Sequence, residues 1–260
     1  MSYIENLFGL NGKVAVVIGG SGVLGGSMAR ALADAGAKVA VGYHHNAEKA
    51  ANLVEMVAKG GGTAKGVHID TSSASAVEKG KEEIVSLWGK VDIVVNAPGV
   101  NSVTPVFDIS EDEWHSILDT NLKGVFTSCR VFAKQMIAQQ SGGSIINISS
   151  VSSGPPLSRV FTYSISKAGI NNMTRFLAKE WAPHNIRVNA ILPGFFPAEQ
   201  NRKILTEERR KSIFAHTPMN RYGEPQELSG ALLWLASDRA SSFVTGALIA
   251  VDGGFTSMTI

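Results

Sequence analysis

The chain has 260 residues, of which 44% are hydrophobic and 18% charged, and a net charge of +2. That is enough apolar sequence for one large core, and the near-balanced charge offers no broad basic field for nucleic acid. No apolar run nears the ~18 residues that cross a bilayer. Met1–Gly12, with Glu5 and no cationic region before an apolar segment, does not read as a signal peptide. The one cysteine, Cys129, excludes an intrachain disulfide and sits in an apolar helical stretch, as a small core residue would. Of six histidines only His44 and His45 adjoin, and no His-Glu-x-x-His or Cys/His spacing occurs, so no metal is expected. A cytoplasmic protein of one α/β domain spanning residues 1–260 is the default reading.

In chain order, apolar runs of strand length fall at Val14–Ile18, Val39–Gly42, Gly66–Ile69, Val91–Val95, Ile145–Ile148, Arg187–Ile191 and Leu248–Val251. Most are unbroken, as expected of strands covered on both faces. Helix-length segments lie between them. Leu24–Ala35 is alanine-rich, and Asn46 is placed to cap Ala47–Ala58 with Gly60 just past its end. Ser110-Glu-Asp-Glu113 reads as a capping box opening a helix to about Ile137, and Phe161–Trp181 and Gln226–Ala236 have helical periodicity. The alternation predicts a Rossmann-like doubly wound sheet of about seven parallel strands with helices on both faces. Ligands of such sheets bind beyond the carboxyl ends of the strands. Gly19–Gly25, Asp70, Asn96–Gly99, Ser149–Ser150 and Pro193–Gly194 all fall at those ends.

The first strand runs into Gly19-Gly-Ser-Gly-Val-Leu-Gly-Gly26 and then a helix. Glycines there let the backbone approach a pyrophosphate, and the helix start supplies amide donors. Asp70 either accepts from an adenine amino group or is a solvated strand-end carboxylate. In NAD-binding relatives of this architecture an acidic residue ends the second strand and holds the ribose 2′-hydroxyl. Here the strand ends Val41-Gly-Tyr-His-His-Asn46, without a carboxylate, and Tyr43, His44, His45 and Asn46 can donate to a 2′-phosphate. Because no carboxylate there would repel a 2′-phosphate, the reading is NADP(H) favoured over NAD(H), although the run holds no arginine or lysine to bind it; the histidines read equally well as exposed loop residues.

Tyr163 and Lys167, four apart on a helix, share one face. A neighbouring ammonium favours phenolate, making the pair an acid/base for an oxygen near neutral pH, and Ser150 can hold that oxygen by hydrogen bonding. Alone, this pattern is common on solvated helix faces.

Together these motifs resemble the short-chain dehydrogenase/reductase family over essentially the whole chain. The matching pieces include the glycine loop, Asp70, Asn96-Ala-Pro-Gly99, Asn121-Leu-Lys-Gly-Val-Phe, Asn147-Ile-Ser-Ser150, Tyr163-Ser-Ile-Ser-Lys167, Arg187–Gly194 and Val251–Phe255. Pro193–Arg202 and Ala215–Met219 look most like mannonate/fructuronate oxidoreductase-type members. The resemblance implies an enzyme that interconverts a carbonyl and a secondary alcohol by hydride transfer, with a tetrad of Asn121, Ser150, Tyr163 and Lys167. In that scheme Tyr163 is the acid/base, Ser150 positions the oxygen, Lys167 lowers the phenol pKa, and Asn121 helps hold a water that links Lys167 to solvent. The cofactor is expected against Gly19, Ser21, Gly22, Val23, Leu24, Gly25, Tyr43, His44, His45, Asp70, Thr71, Asn96, Ala97, Gly99, Tyr163, Lys167, Pro193, Gly194 and Phe196. Three departures stand out: Ile18 and Val23 replace a threonine and a glycine of the usual loop, Asn96-Ala-Pro-Gly99 lacks one asparagine, and Ala198 replaces a threonine facing the nicotinamide.

Residues 193–224 read as a lid over a small-molecule substrate. Ser152, Arg159, Phe195 and Arg202 are the candidate substrate contacts, with a sugar acid or polyol as the substrate expected from the subgroup. The alternatives are a 3-oxoacyl-thioester (acyl-carrier-protein) reductase, which shares every core motif, and a non-catalytic dinucleotide-binding regulator. The resemblance also implies a homotetramer, otherwise a homodimer, packed partly through Ser242–Phe255.

Overall fold

The structure is a computed structural model that describes residues 2–196 and 206–258. Its centre is a sheet of seven strands: β1 (Val14–Ile18), β2 (Lys38–Tyr43), β3 (Thr63–His68), β4 (Ile93–Asn96), β5 (Gly143–Ile148), β6 (Ile186–Pro193) and β7 (Leu248–Val251). They are parallel throughout, in the order β3-β2-β1-β4-β5-β6-β7. The winding reverses between β1 and β4, and the crevice beyond their carboxyl ends is where such sheets take a ligand.

The unbroken apolar runs have a direct cause. Successive side chains of a strand point to opposite faces, and both faces here are covered. Ala15, Val17, Ile93, Val95 and Ile146 join one core, against α2 (Val23–Asp34), α3 (Ala47–Lys59) and α9 (Ser229–Ala236). Val14, Val16, Ile18, Val94 and Ile145 join the other, against α4 (Ala74–Trp88), α6 (Gly124–Ala138) and α7 (Phe161–Trp181). Each fully buried Val, Ile or Phe in these layers contributes roughly 1.5–3 kcal/mol. The short α1 (Tyr3–Phe8), α5 (Glu111–Leu118) and α8 (Glu207–Ala215) lie outside this frame, and one turn, Asp238–Ser241, follows α9.

Most predicted elements are present with ends shifted by a few residues. Two predicted caps are built differently. Asn46 precedes α3 but its side chain caps nothing. Ser110 accepts from the Glu113 amide as expected, whereas the Glu113 carboxylate turns away to accept from the Ser102 and Thr104 hydroxyls, both at 2.6 Å. The predicted helix from Ser110 to Ile137 is interrupted at Asp119–Lys123 by a turn of π-helix, and that interruption positions Asn121.

Candidate active site

The glycine loop follows from steric limits at two positions. Gly19 has φ +76°, and a Cβ there would stand 2.7 Å from the Ala97 carbonyl oxygen. A Cβ on Gly25 would overlap the Gly19 carbonyl. Gly22 caps α2 with ordinary extended dihedrals, and Val23 begins the helix without positive φ. Position 23 therefore does not require glycine, and its exposed side chain leaves the loop path intact. Ile18, where the family pattern has threonine, is buried in the core. The loop opens onto a cavity of about 300 Å³, also lined by Arg30 and Lys49. Arg30 is paired with Asp34 at 3.0 Å. Lys49, on the exposed first turn of α3, has no hydrogen-bond or ion-pair partner among the described residues.

At the ends of β2 and β3, His44 and His45 stack at 3.6 Å between ring centroids, and Tyr43 meets His68 edge-on at 5.7 Å. His44 Nε2 lies 3.5 Å from an Asp70 carboxylate oxygen. Burial works against ionisation of Asp70, but hydrogen bonds from Ser72 and the neighbouring His44 and His68 hold its carboxyl below the usual range. Asp70 and His44 thus already engage each other. Thr71 is buried and packs where a Cβ on Gly124 would meet its Oγ1 at 2.8 Å.

The Asn96 side chain is fully buried. It accepts from Ser128 Oγ at 2.6 Å and donates to Asn147 Oδ1 at 2.9 Å, and Asn147 donates on to Thr174 at 3.0 Å. Its amide faces the protein interior, so only its backbone borders the crevice. The same network encloses Cys129, whose thiol burial pushes up to about 12. Ala97 packs on the core, and Gly99 is close to both Lys167 and Asn121: a Cβ on it would lie 3.8 Å from Lys167 Nζ and 3.9 Å from Asn121 Oδ1.

Four predicted groups converge here. Lys167 Nζ is buried, donates to the Ile148 carbonyl at 2.8 Å and stands 5.5 Å from the centre of the Tyr163 ring. Burial lowers its pKa to about 8. Burial raises the Tyr163 phenol, and a hydrogen bond with Ser150 offsets part of that rise. In this form Lys167 therefore acts on the phenol across space and not through a bond. Asn121, wholly buried, accepts from the Val100 amide and donates to the Val100 carbonyl, both at 2.8 Å, and donates to Ser166 Oγ at 3.2 Å. Both amide hydrogens are used, so its side chain has no donor left for a water; only its carbonyl groups remain. The amide instead pins the turn that carries Gly99.

Ser152 is buried against Ser150 and so is removed from a substrate surface. Arg159 is exposed, with φ +64°. Phe195 meets Phe255 edge-on at 5.3 Å, and Phe196 packs where a side chain on Gly223 would stand. Both line a cavity of about 360 Å³ beyond β6 and β7, with Met219, Arg221 and Glu227. Gly194 donates to the Val251 carbonyl at 3.0 Å and packs against Asp252 after Pro193 ends β6. Arg202 and Ala198 lie outside the described residues. Lys49 was missed in the sequence because it lies beyond the strand end, and only the α2–α3 packing turns it toward the loop.

A glycine-bounded pyrophosphate cradle at the sheet's switch point, joined to a Ser–Tyr–Lys group, defines a dinucleotide-dependent oxidoreductase acting on CH–OH groups. A family profile described as enoyl-(acyl carrier protein) reductase matches residues 21–256. The chain is 41% identical to the oxidoreductase UxuB of Bacillus subtilis, covering 95% of each. It is 39% identical to a 2-dehydro-3-deoxy-D-gluconate 5-dehydrogenase of Dickeya dadantii, covering 97% of this chain and 98% of that one. A solved gluconate 5-dehydrogenase from Burkholderia cenocepacia, in complex with NADP and tartrate, superposes with a TM-score of 0.93 at 33% identity, covering 99% of this chain and 100% of that one. The chain belongs to the short-chain dehydrogenase/reductase family. Among the described residues no helix is long and apolar enough to cross a membrane, and no cluster of three metal-binding side chains occurs.

Proposed function

We propose that the protein oxidises or reduces a sugar acid or polyol, with NADP(H) preferred to NAD(H). The observation that carries the catalytic assignment is the convergence of Ser150, Tyr163 and Lys167 beside the glycine cradle. The relatives named for gluconate derivatives support the substrate class. The cradle fits a dinucleotide: Gly20, Ser21, Gly22 and Val23 line the cavity at the start of α2, and Gly19 and Gly25 let the loop fold that tightly against β4 and itself. When bound there, a nicotinamide dinucleotide would supply the hydride chemistry at the substrate carbon. Tyr163 Oη gives its proton to the carbonyl oxygen in reduction and takes it back in oxidation, and Ser150 Oγ donates to that same oxygen. Lys167 holds positive charge near the phenol and favours phenolate. Gly99 stands beside Lys167 and Asn121, and Phe195 and Phe196 line the neighbouring cavity beyond β6 and β7, where we place the substrate.

The NADP(H) preference rests on a β2 end without a free carboxylate and on Lys49, which lines the same cavity as Ser21 and Gly22 and has no ion-pair partner among the described residues. His44 is engaged with Asp70, which leaves His45 and Tyr43 as the side-chain donors at the β2 end. Exposed Phe126, Phe161, Phe176 and Phe243 are apolar groups that subunit contacts would cover, and they support a homotetramer, or a homodimer. The family profile's description favours one other substrate reading, an acyl-carrier-protein thioester reductase. The retained Tyr163 and Lys167 speak against a non-catalytic binding protein. The decisive experiment is Tyr163→Phe assayed over sugar acids, polyols and a 3-oxoacyl thioester. Turnover should fall about 10²–10⁴-fold with cofactor binding kept; unchanged turnover would remove the acid/base assignment, and activity on the thioester alone would replace the substrate class.

A further inference from the structure

Ser150 Oγ accepts two hydrogen bonds from one residue: the Ser152 amide at 3.1 Å and the Ser152 hydroxyl at 3.0 Å. Ser152 sits in a 3₁₀ turn, Val151–Ser153, that Ser150 itself caps, and it is 3% exposed. A serine hydroxyl has two acceptor lone pairs and one proton. With both lone pairs occupied, the proton of Ser150 can only be donated. The Tyr163 phenol is the neighbour it can meet, and a hydrogen bond with Ser150 offsets part of the rise that burial causes there. The turn is fixed from outside as well. Ser153 Oγ donates to the Ser150 carbonyl at 2.6 Å, and Asn171 Nδ2 donates to Ser153 Oγ at 2.7 Å.

We infer that Ser152 is a positioning residue that makes Ser150 an obligate donor toward the reacting oxygen. This rests on the proposed roles of Ser150 and Tyr163. It also replaces the expectation that Ser152 touches substrate. Donation into Ser150 Oγ polarises its O–H, and such chains strengthen one another in a low-dielectric site. The effect grows as negative charge builds on the substrate oxygen, so it belongs to the chemical step and not to substrate capture.

The test compares Ser152→Thr with Ser152→Val, a pair of nearly equal shape that differs by one hydroxyl, each made also in a Ser150→Ala background. Single-turnover reduction and steady-state kcat and KM are measured. Ser152→Thr should stay near wild type, and Ser152→Val should lose about tenfold in kcat, the size of one hydrogen bond to developing charge, with KM little changed. In the Ser150→Ala background, Thr and Val should be equal. Loss in KM alone, equal loss for Thr and Val, or a Val defect that persists without Ser150 would each overturn the assignment. If Tyr163→Phe is fully active while the Thr/Val difference persists, the acid/base reading fails instead.

Discussion

Lys167→Met isolates the charge that the site keeps near its phenol. The ammonium lies 5.5 Å from the Tyr163 ring centre. At the effective dielectric of about 20 suited to protein sites, a unit charge at that distance stabilises phenolate by about 3 kcal/mol, or about two pH units. In the oxidative direction the reaction needs phenolate, so the rising limb of the pH–rate profile should move about two units upward and the rate at pH 8 fall about a hundredfold. The wild-type limb belongs to the coupled pair, since burial brings Lys167 to about 8 while raising Tyr163. The assay is alcohol oxidation at saturating cofactor over a range of pH, with wild type and variant side by side. A Lys167→Met limb at the wild-type position would refute the through-space argument and leave Lys167 as a hydrogen-bonding post for the Ile148 carbonyl and cofactor. The same substitution should stabilise the fold. An unfolded lysine holds its proton up to its model value of 10.5, whereas the buried one yields it at about 8. The folded state therefore bears the full penalty of the charge below about pH 8 and sheds it as pH rises toward 10.5. Lys167→Met should thus gain roughly 3 kcal/mol at pH 7 by denaturant midpoint, the gain shrinking at alkaline pH.

Two further outcomes follow from the cradle. Lys49→Glu should cut kcat/KM for NADPH about tenfold or more and leave NADH nearly unaffected, because it places a negative charge beside a 2′-phosphate; equal losses for both cofactors would place the phosphate elsewhere. Gly25→Ala should abolish cofactor binding in a fluorescence titration, since its Cβ overlaps the Gly19 carbonyl and forces the loop open; binding retained at wild-type strength would show that the loop yields.

The sheet was legible in the sequence because burial on both faces turns each strand into an unbroken apolar run. The grouping of Ser150, Tyr163 and Lys167 was legible because Tyr163 and Lys167 obey helix spacing and Ser150 follows a strand, whereas Asn121 entered only through the family resemblance. What escaped is set by packing across the fold. Asn96 reads as a crevice residue by position, but Ser128 and Asn147 draw its amide inward. Glu113 reads as a capping carboxylate, but Ser102 and Thr104, distant by a loop, compete for it successfully. Lys49 carries no local signal at all, because its significance arises only where α3 lies against the glycine loop.

The π turn at Asp119–Lys123 acts as a vernier between two helices. Its extra residue per turn sets the angular phase at which everything downstream projects. Removing any one residue from this stretch would restore regular winding and swing Asn121 about 100° around the axis, away from Val100. Natural variation in the segment is therefore constrained in length before it is constrained in chemistry, and a one-residue deletion should be worse tolerated than most exchanges within it.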